Sequence, residues 1–271
     1  MNALQAIVEG IVQGLTEFLP ISSTAHLRIV PALLGWDDPG AAFTAVVQLG
    51  TMAAVLLYFR GDLWNIARAW LAGLRDPAER RTLDSRLGWY IILGTIPIAV
   101  LGLAFKNPIE HQFRNLYLVG AALIVFGLAM AFIDERAKRE RKLDALDAND
   151  GAFIGCAQAL ALVPGVSRSG ATISAGLWRG LDRPAAARYS FLLSVPAVVL
   201  PGLFELRHVG SAGGAPVGAT VIAVALAFVV GYASIAFLLR YLARHTLGVF
   251  VAYRIVLGTL VLALAAAGAI S

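Results

Sequence analysis

The sequence predicts an all-α integral membrane protein with six transmembrane helices and two re-entrant helix pairs in an inverted-topology repeat. Three observations lead to this fold class. The 271 residues are 59% hydrophobic and 14% charged, with a mean hydropathy of +0.75, which is too apolar for a soluble domain. Many apolar segments are long enough to cross a bilayer. Two further apolar regions are interrupted by proline and clustered hydroxyl groups.

Charge and cysteine content argue against a nucleic-acid-binding protein and against a disulfide-stabilised protein. The net charge is +5, but the basic residues cluster between apolar spans, as expected for the cytoplasmic loops of a membrane protein. No basic patch interleaved with aromatic residues is present, so nucleic acid is not an expected partner. The single cysteine, Cys156, excludes an intramolecular disulfide. No signal peptide is expected, because the N-terminal apolar stretch lacks a basic segment and carries Glu9 and Glu17.

The first repeat is expected to cover residues 1–133. Residues 1–34 are apolar but carry Pro20, a hydroxyl run and four hydrogen-bonding side chains, and broken helices are tolerated only inside protein or around a cavity. We therefore expect a re-entrant pair there. The spans that follow are 41–59, 88–105 and 116–133. The arginine-rich loop 60–86 is expected in the cytoplasm and the short loop 106–115 outside.

The second repeat is expected to cover residues 151–271, after a charged cytoplasmic connector at 134–150. The connector carries both signs of charge and is typical of a solvated helix or linker. Residues 151–178 again combine apolar residues with an interrupting polar run, which indicates a second re-entrant pair. The remaining spans are 189–205, 217–239 and 248–268, and the uncharged loop 209–216 is expected outside.

Each half therefore contains one re-entrant pair and three spans, and an odd number of spans inverts the second half. Two similarities within the sequence support a repeat. In the first half Gln13 is followed by Pro20 and two serines, and in the second half Gln158 is followed by Pro164 and two serines. The segment 92–95 also resembles the segment 256–259. Inverted repeats with broken helices place their site near the midplane, where the two re-entrant turns meet.

The second re-entrant segment carries a candidate anion site in Gly165-Val166-Ser167-Arg168-Ser169-Gly170-Ala171-Thr172. Its turn exposes the N-terminus of a half-helix, which favours phosphate. Serine is also common at such positions as a helix cap alone. Arg168 adds a planar fork that matches phosphate oxygens, and its burial requires an anion, either Glu17 or a substrate.

The first re-entrant segment carries the candidate acid–base groups. Glu9, Gln13 and Glu17 share one helix face, and a carboxylate there can hold a divalent cation, move a proton or pair with Arg168 or Arg254. Glu9 is expected to reach water or headgroups. His26 follows the hydroxyl run Ser22, Ser23 and Thr24 and could accept a proton from Ser23, donate one to a leaving phosphate or serve a structural role.

Taken together, these motifs resemble the undecaprenyl pyrophosphate phosphatase family, whose bacitracin-resistance members share them across essentially the whole chain. The residues that carry the resemblance are Gln13 and Glu17, the run Leu19-Pro20-Ile21-Ser22-Ser23-Thr24-Ala25-His26, the run 164–172, and the shorter segments 48–50, 190–193 and 253–254. Ala25 stands where many relatives have glycine, and Gln13 takes the variable position of the acidic motif.

The resemblance implies a multi-pass hydrolase of the bacterial inner membrane that removes the terminal phosphate of undecaprenyl diphosphate, with a site facing the periplasm. This reaction recycles the lipid carrier for peptidoglycan and confers bacitracin resistance. The resemblance also implies a divalent cation, Mg²⁺ or Ca²⁺, held by Glu17 with Gln13 as a neutral ligand or with Glu9.

The resemblance also assigns roles to the two motifs. The implied catalytic residues are Glu17, Ser23, His26 and Arg168, and the implied substrate-binding residues are Ser22, Thr24, Ser167, Ser169, Gly170 and Thr172. Whether Ser23 or His26 attacks phosphorus stays open, as do the oligomeric state, for which a homodimer is one candidate, and the lipid chain length. A transporter or flippase of a phosphorylated polyprenyl lipid is the alternative function, because inverted repeats with broken helices are transporter architecture.

Overall fold

The computed structural model describes residues 1–209 and 215–270, apart from the side chains of residues 110 and 111. The described residues form helices without a β-strand. The α-helices are α1 (Ala3–Thr16), α2 (Ser23–Leu34), α3 (Gly40–Tyr58), α4 (Arg60–Gly73), α5 (Leu83–Ala104), α6 (Leu116–Arg136), α7 (Ala148–Ala159), α8 (Arg168–Trp178), α9 (Arg183–Glu205), α10 (Val217–Leu242) and α11 (Gly248–Ala266).

Six of these helices are long and apolar enough to cross a membrane: α3, α5, α6, α9, α10 and α11. They coincide with the six spans predicted from sequence, within a few residues at most ends, and the prediction of an all-α membrane protein is confirmed. The largest differences are at the starts of α5 and α9, which begin five and six residues earlier than predicted. Residues 210–214 of the predicted loop 209–216 lie outside the described part of the chain.

Both predicted re-entrant segments fold as a helix, a turn and a second helix. α1 and α2 are joined by the turn around Pro20, and α7 and α8 by a 3₁₀ turn and the residues around Pro164. Each of these helices has between 11 and 14 residues, which is too short to span the hydrocarbon core alone.

The predicted loop 60–86 is wrong in part, because it contains α4. Ile66 and Gly73 of this helix are buried, and a Cβ on Gly73 would lie 2.5 Å from Ser85 Oγ of α5. Trp64 is exposed, as expected for the membrane interface, whereas Trp70 packs against Gly88. Apolar contact with α5 therefore gives this arginine-rich segment its helical structure.

The connector 134–150 is less solvated than predicted. Asp134 and Asp150 are buried at its two ends. Asp134 pairs with Arg183 at 2.8 Å, and Asp150 pairs with Arg141 and Arg179, both at 2.6 Å. The mixed charges of the sequence are thus used to attach the connector to α8 and α9, which a charge pattern alone does not reveal.

The two halves of the chain pack in a matching way. α1 packs along α10 and α7 packs along α5, in each case through a glycine that leaves no room for a side chain: Gly10 against Ala223 and Gly155 against Gly94. The segments 92–95 and 256–259, however, lie in α5 and α11, which are not equivalent spans, so that similarity does not support a repeat. The inverted repeat and its boundaries stay a prediction, which the matched packing supports.

Candidate active site

The two re-entrant turns meet inside the helical bundle, as the sequence predicted. The backbone N–H of Gly165 donates to Ser22 Oγ at 3.1 Å, which joins the second turn to the first. Arg254 of α11 is completely buried and donates to Pro20 O at 3.1 Å, Gly165 O at 2.6 Å and Val166 O at 3.1 Å. Three carbonyl groups from two turns thus share one guanidinium, and this satisfies backbone groups that neither helix pair could satisfy alone.

Each turn ends in a serine that caps the following helix. Ser22 and Ser167 have φ of +75° and +73°, and their hydroxyl groups accept from the N–H groups of Ala25 and Gly170. A positive φ is strained for serine, and such strain is typical of functional turns. At the two turns only Ser22 and Ser167 are caps, and Ser23, Thr24 and Ser169 lie in the first turns of α2 and α8.

The caps leave four backbone donors at the junction. The first two N–H groups of α2 and of α8 belong to Ser23 and Thr24 and to Arg168 and Ser169, and none of them donates to any of the described residues. Both helix N-termini also carry the positive end of the helix dipole. The junction therefore presents unpaired donors and positive potential, which is the environment that a phosphate group requires.

Glu17 lies at the centre of the junction, with 5% of its surface exposed. One carboxylate oxygen accepts from Arg168 Nη2, which confirms that this buried arginine has an anionic partner. The other oxygen accepts from Ser23 Oγ at 2.6 Å and from Gln13 Nε2 at 2.9 Å. Glu17 therefore links the acidic motif, the hydroxyl run and the arginine of the opposite turn.

Part of the Arg168 guanidinium makes no hydrogen bond with the described residues. Its side chain is 11% exposed, and Nη2 is the nitrogen that bonds Glu17. Nε and Nη1 donate to none of the described residues. A guanidinium held on one side by a carboxylate and open on the other can receive phosphate oxygens without losing its first partner.

His26 makes no hydrogen bond with Ser23, so it is not placed as the predicted base for Ser23. Its Nδ1 donates to Ser22 O at 2.7 Å, because a carbonyl can only accept. Its Nε2 lies 2.7 Å from the hydroxyl of Tyr253, and the two rings are stacked with centroids 5.6 Å apart. Both nitrogens are thus engaged, and Glu17 rather than His26 receives the hydroxyl of Ser23.

The remaining predicted substrate-binding residues divide into two sets. Thr24 and Ser169 lie at the junction, where Thr24 Oγ1 is 3.3 Å from Ser22 Oγ and Ser169 donates to Leu19 O at 3.2 Å. Gly170 and Thr172 come later in α8 and bond other protein groups. The Gly170 N–H is used by the cap, and Thr172 is completely buried, with its hydroxyl 2.6 Å from Ser190 Oγ.

Sequence reasoning missed the contact of Gln13 Nε2 with Thr51 Oγ1 at 3.5 Å and the roles of Tyr253 and Arg254. Arg254 was considered only as a partner of Glu17, which it does not contact. A charged residue in the middle of an apolar span is a recognisable signal. Its donation to both turns could not be read from sequence, because the three carbonyls lie far from it in the chain.

The oxygen atoms of Glu17 and Gln13 fit a divalent cation that is also bound by a substrate. The described residues contain no cluster of three or more histidine, cysteine or acidic side chains able to hold a metal. Gln13 Oε1, however, is buried beside Glu17 without a hydrogen-bond donor. One carboxylate and one amide oxygen, completed by phosphate oxygens, match the way Mg²⁺ is usually bound.

Comparison with known proteins gives a consistent result over the whole chain. Residues 6–260 match the family described as bacitracin resistance protein BacA. The chain is 52% identical over 272 residues to an undecaprenyl-diphosphatase of Nocardioides sp. (strain ATCC BAA-499 / JS614), covering 100% of this chain and 99% of that protein. It is 51% identical to the undecaprenyl-diphosphatases of Thermobifida fusca and Myxococcus xanthus, covering 100% of this chain and 93% and 92% of theirs.

Proposed function

This chain belongs to the bacitracin resistance protein BacA family, and we propose that it hydrolyses undecaprenyl diphosphate to undecaprenyl phosphate and inorganic phosphate where its two re-entrant turns meet. The names of its relatives give the substrate. The single observation that supports this site is the contact of Glu17 with both Ser23 and Arg168. It places a hydroxyl group, hydrogen-bonded to a carboxylate, beside a guanidinium suited to bind phosphate.

Substrate binding uses the unpaired donors of the junction. The Nε and Nη1 groups of Arg168 and the free N–H groups at the start of α2 and α8 receive the oxygens of the terminal phosphate. These donors are fixed by the two caps and by Arg254 before substrate arrives. Phosphoryl transfer depends mainly on such positioning and charge stabilisation.

Ser23 is the nucleophile that the geometry favours, with Glu17 as its base. Ser23 Oγ attacks the terminal phosphorus, its proton passes to Glu17 Oε2, and the bond from phosphorus to the bridging oxygen breaks. Undecaprenyl phosphate leaves with the bonding electron pair, and Ser23 carries the phosphoryl group. His26 would have to release Tyr253 before it could attack, so we assign it a positioning role that holds the backbone of Ser22.

Water completes the reaction on the phosphorylated serine. Glu17 must first lose the proton taken from Ser23. It then accepts a proton from the attacking water and gives it to Ser23 Oγ, as the bond from that oxygen to phosphorus breaks. The products are the two phosphates and one proton for each diphosphate consumed. The second step uses the same positioned groups as the first, so no further side chain is needed for the chemistry.

Glu17 and the free Oε1 of Gln13 would hold a divalent cation, Mg²⁺ or Ca²⁺, together with the diphosphate. Such a cation supplies charge neutralisation on the phosphate oxygens. We expect Mg²⁺ to raise the melting temperature of the protein when a non-hydrolysable diphosphate is present. Gln13→Leu should weaken this stabilisation, and an unchanged melting temperature in both proteins would contradict the assignment.

We also propose that the protein lies in the bacterial inner membrane and that the site opens to the periplasm. The arginine-rich segment 60–86 supports the orientation of the spans, because basic loops stay in the cytoplasm, and the opening to the periplasm is what the resemblance implies. Activity in sealed right-side-out vesicles should fall when a membrane-impermeant chelator is added outside. Full activity under those conditions would contradict an outward-facing site.

Phosphate release from undecaprenyl diphosphate by purified protein in detergent tests the proposed function. Wild type should release phosphate, while Glu17→Gln and Arg168→Ala should not. Ser234→Ala is a matched control, because Ser234 is a buried serine of α10 that bonds its own helix at Val230 O. Release of phosphate by neither wild type nor control would contradict the function and favour transport of a phosphorylated polyprenyl lipid.

A further inference from the structure

α4 and the residue that follows it carry large apolar side chains that the rest of the described chain leaves exposed. Trp64, Leu71 and Leu74 are 68%, 57% and 47% exposed, and their spacing of seven and three residues places them on one side of the helix. Large apolar side chains clustered on one surface mark contact with a membrane or with a protein partner. We call these three residues the α4 stripe, and the proposed hydrolysis uses none of them.

The opposite side of α4 is fixed to the helical bundle. Ile66 is buried, and Gly73 lies so close to Ser85 of α5 that a side chain would not fit between them. Asp62 in the first turn of α4 pairs with Arg188 of α9. These contacts hold α4 in one rotation about its axis, so the α4 stripe cannot turn inward to be buried by the protein.

α4 lies between two helices that are able to cross a membrane. It begins at Arg60, two residues after the end of α3, and α5 follows at Leu83. With 14 residues, three of them charged, α4 is too short and too polar to cross a bilayer itself. Trp70 packs edge-to-face on Trp89 of α5, with ring centroids 5.5 Å apart, and tryptophan is enriched where a bilayer meets water. A helix at that level can bury an apolar stripe among the acyl chains.

Two arginines lie beside the α4 stripe. Arg68 comes four residues after Trp64, and Arg75 comes four residues after Leu71, so each adjoins a residue of the stripe. Both arginines are exposed, and neither side chain forms an ion pair or a hydrogen bond with the described residues. The surface therefore combines apolar side chains with two guanidinium groups that have no partner in the described part of the protein.

The charge of this surface indicates which class of lipid it suits. A guanidinium group matches the oxygens of a lipid phosphate. A zwitterionic headgroup also carries an ammonium group, which needs an anionic partner. The acidic residue of α4, Asp62, pairs with α9, and Asp76 beyond the helix accepts from the N–H of Ala78 at 2.8 Å. A lipid with net negative charge therefore suits this surface better than a zwitterionic one.

We propose that α4 lies in the headgroup region of the bilayer, with the α4 stripe among the acyl chains and with Arg68 and Arg75 bound to the phosphate groups of anionic lipid. Apolar burial holds the helix against the membrane, and the two charges select the lipid. Each arginine close to an anionic surface strengthens binding by about fivefold. This lipid site shares no residue with the catalytic junction.

Spin labels in nanodiscs of phosphatidylglycerol test the depth of α4. In a Cys156→Ser background, a nitroxide on Leu71→Cys should be accessible to oxygen and protected from a water-soluble nickel chelate. Ala72→Cys is the matched control, because the next residue of the helix is exposed on a different side and should show the reverse. Equal access of the nickel chelate to both labels would overturn the proposal. Protection of the Leu71→Cys label from both reagents would also overturn it, because a protein partner or a second copy would then cover the α4 stripe.

Native mass spectrometry of the purified protein tests the class of lipid. Wild type should bind phosphatidylglycerol more tightly than phosphatidylcholine, and the Kd for phosphatidylglycerol should rise about fivefold in Arg68→Gln and in Arg75→Gln. Both variants should keep the melting temperature of wild type in detergent, because these side chains have no partner among the described residues. Lys138→Gln removes an exposed positive charge from the connector and should bind lipid as wild type does. An unchanged Kd in both arginine variants, or an equal rise in Lys138→Gln, would overturn the proposal whether or not the protein hydrolyses undecaprenyl diphosphate.

Discussion

The first and second re-entrant turns have the same backbone design and different chemistry. In each, a serine with positive φ caps the second helix, and the next residue begins that helix. The first helical residue is Ser23 in one turn and Arg168 in the other. Glu17 lies between them and bonds both side chains.

This comparison separates what a re-entrant turn requires from what the reaction requires. The capping serines and the bond between Ser22 and Gly165 build a junction of two helix N-termini. The unpaired N–H groups and the helix dipoles of that junction favour an anion before any side chain is considered. The equivalent position after the cap holds Arg168 in the second turn and Ser23 in the first. The guanidinium strengthens the binding of an anion, and the hydroxyl adds a group that can attack it.

Arg168→Ala should give the largest effect, because it removes the charge that the second turn contributes. We expect turnover to fall by about 10³- to 10⁵-fold, the range known for arginine residues that stabilise phosphoryl transfer. Expression should stay close to wild type, and the melting temperature should fall, because the buried carboxylate of Glu17 loses its arginine partner. Phosphate release is the measurement, and Arg136→Ala is the control, since Arg136 stacks on Phe132 at the end of α6. Strong residual activity would refute the site.

Ser23→Ala tests the hydroxyl of the first turn in the same assay. Loss of the nucleophile together with its bond to Glu17 should reduce turnover by at least about 10²-fold. The phosphorylated serine should be detectable by mass spectrometry after rapid acid quench of wild type and absent from the variant. Phosphorylation found on His26 instead would reverse the assignment of the nucleophile.

Arg254→Met should affect stability more than any change at the caps. The variant leaves the carbonyls of Pro20, Gly165 and Val166 without their donor, and each buried acceptor left unpaired costs about 1–3 kcal/mol. A large fall in melting temperature in detergent is therefore expected. A melting temperature equal to that of wild type would show that Arg254 does not hold the two turns together.

The two caps should differ from one another in a predictable way. Ser167→Ala removes one helix cap, worth about 1 kcal/mol. Ser22→Ala removes a cap and also the acceptor of the Gly165 N–H, so its melting temperature should fall further. Equal shifts in the two variants would mean that the bond between the turns contributes nothing measurable.

Tyr253→Phe should have the smallest effect. It removes the hydroxyl bonded to His26 Nε2 but keeps the stacked ring, a change worth about 0.5–1.5 kcal/mol. Phosphate release should stay within about tenfold of wild type. A loss as large as that of Ser23→Ala would indicate that His26 takes part in the chemistry through Tyr253.

Much of the fold was predictable because a bilayer restricts what a sequence can form. The six spans followed from apolar length, and both re-entrant pairs followed from proline and hydroxyl groups where an unbroken span would be expected. α4 was missed, because its arginines and exposed tryptophan resemble a loop until α5 is packed against it. The burial of Asp134 and Asp150 was missed for a similar reason, since Arg183 and Arg179, which pair with them, come from other segments.

The sequence by itself indicated Glu17, Ser23 and Arg168 as candidate site residues, because hydrogen-bonding groups are too costly in an apolar segment to be there without a partner or a function. Only the tertiary structure decided how they are paired. It brought Glu17 to Ser23 and Arg168, directed His26 to Ser22 and Tyr253, and left Glu9 buried without a partner. Pairing depends on distances of a few ångströms between residues far apart in the chain, and spacing along a sequence does not specify such distances.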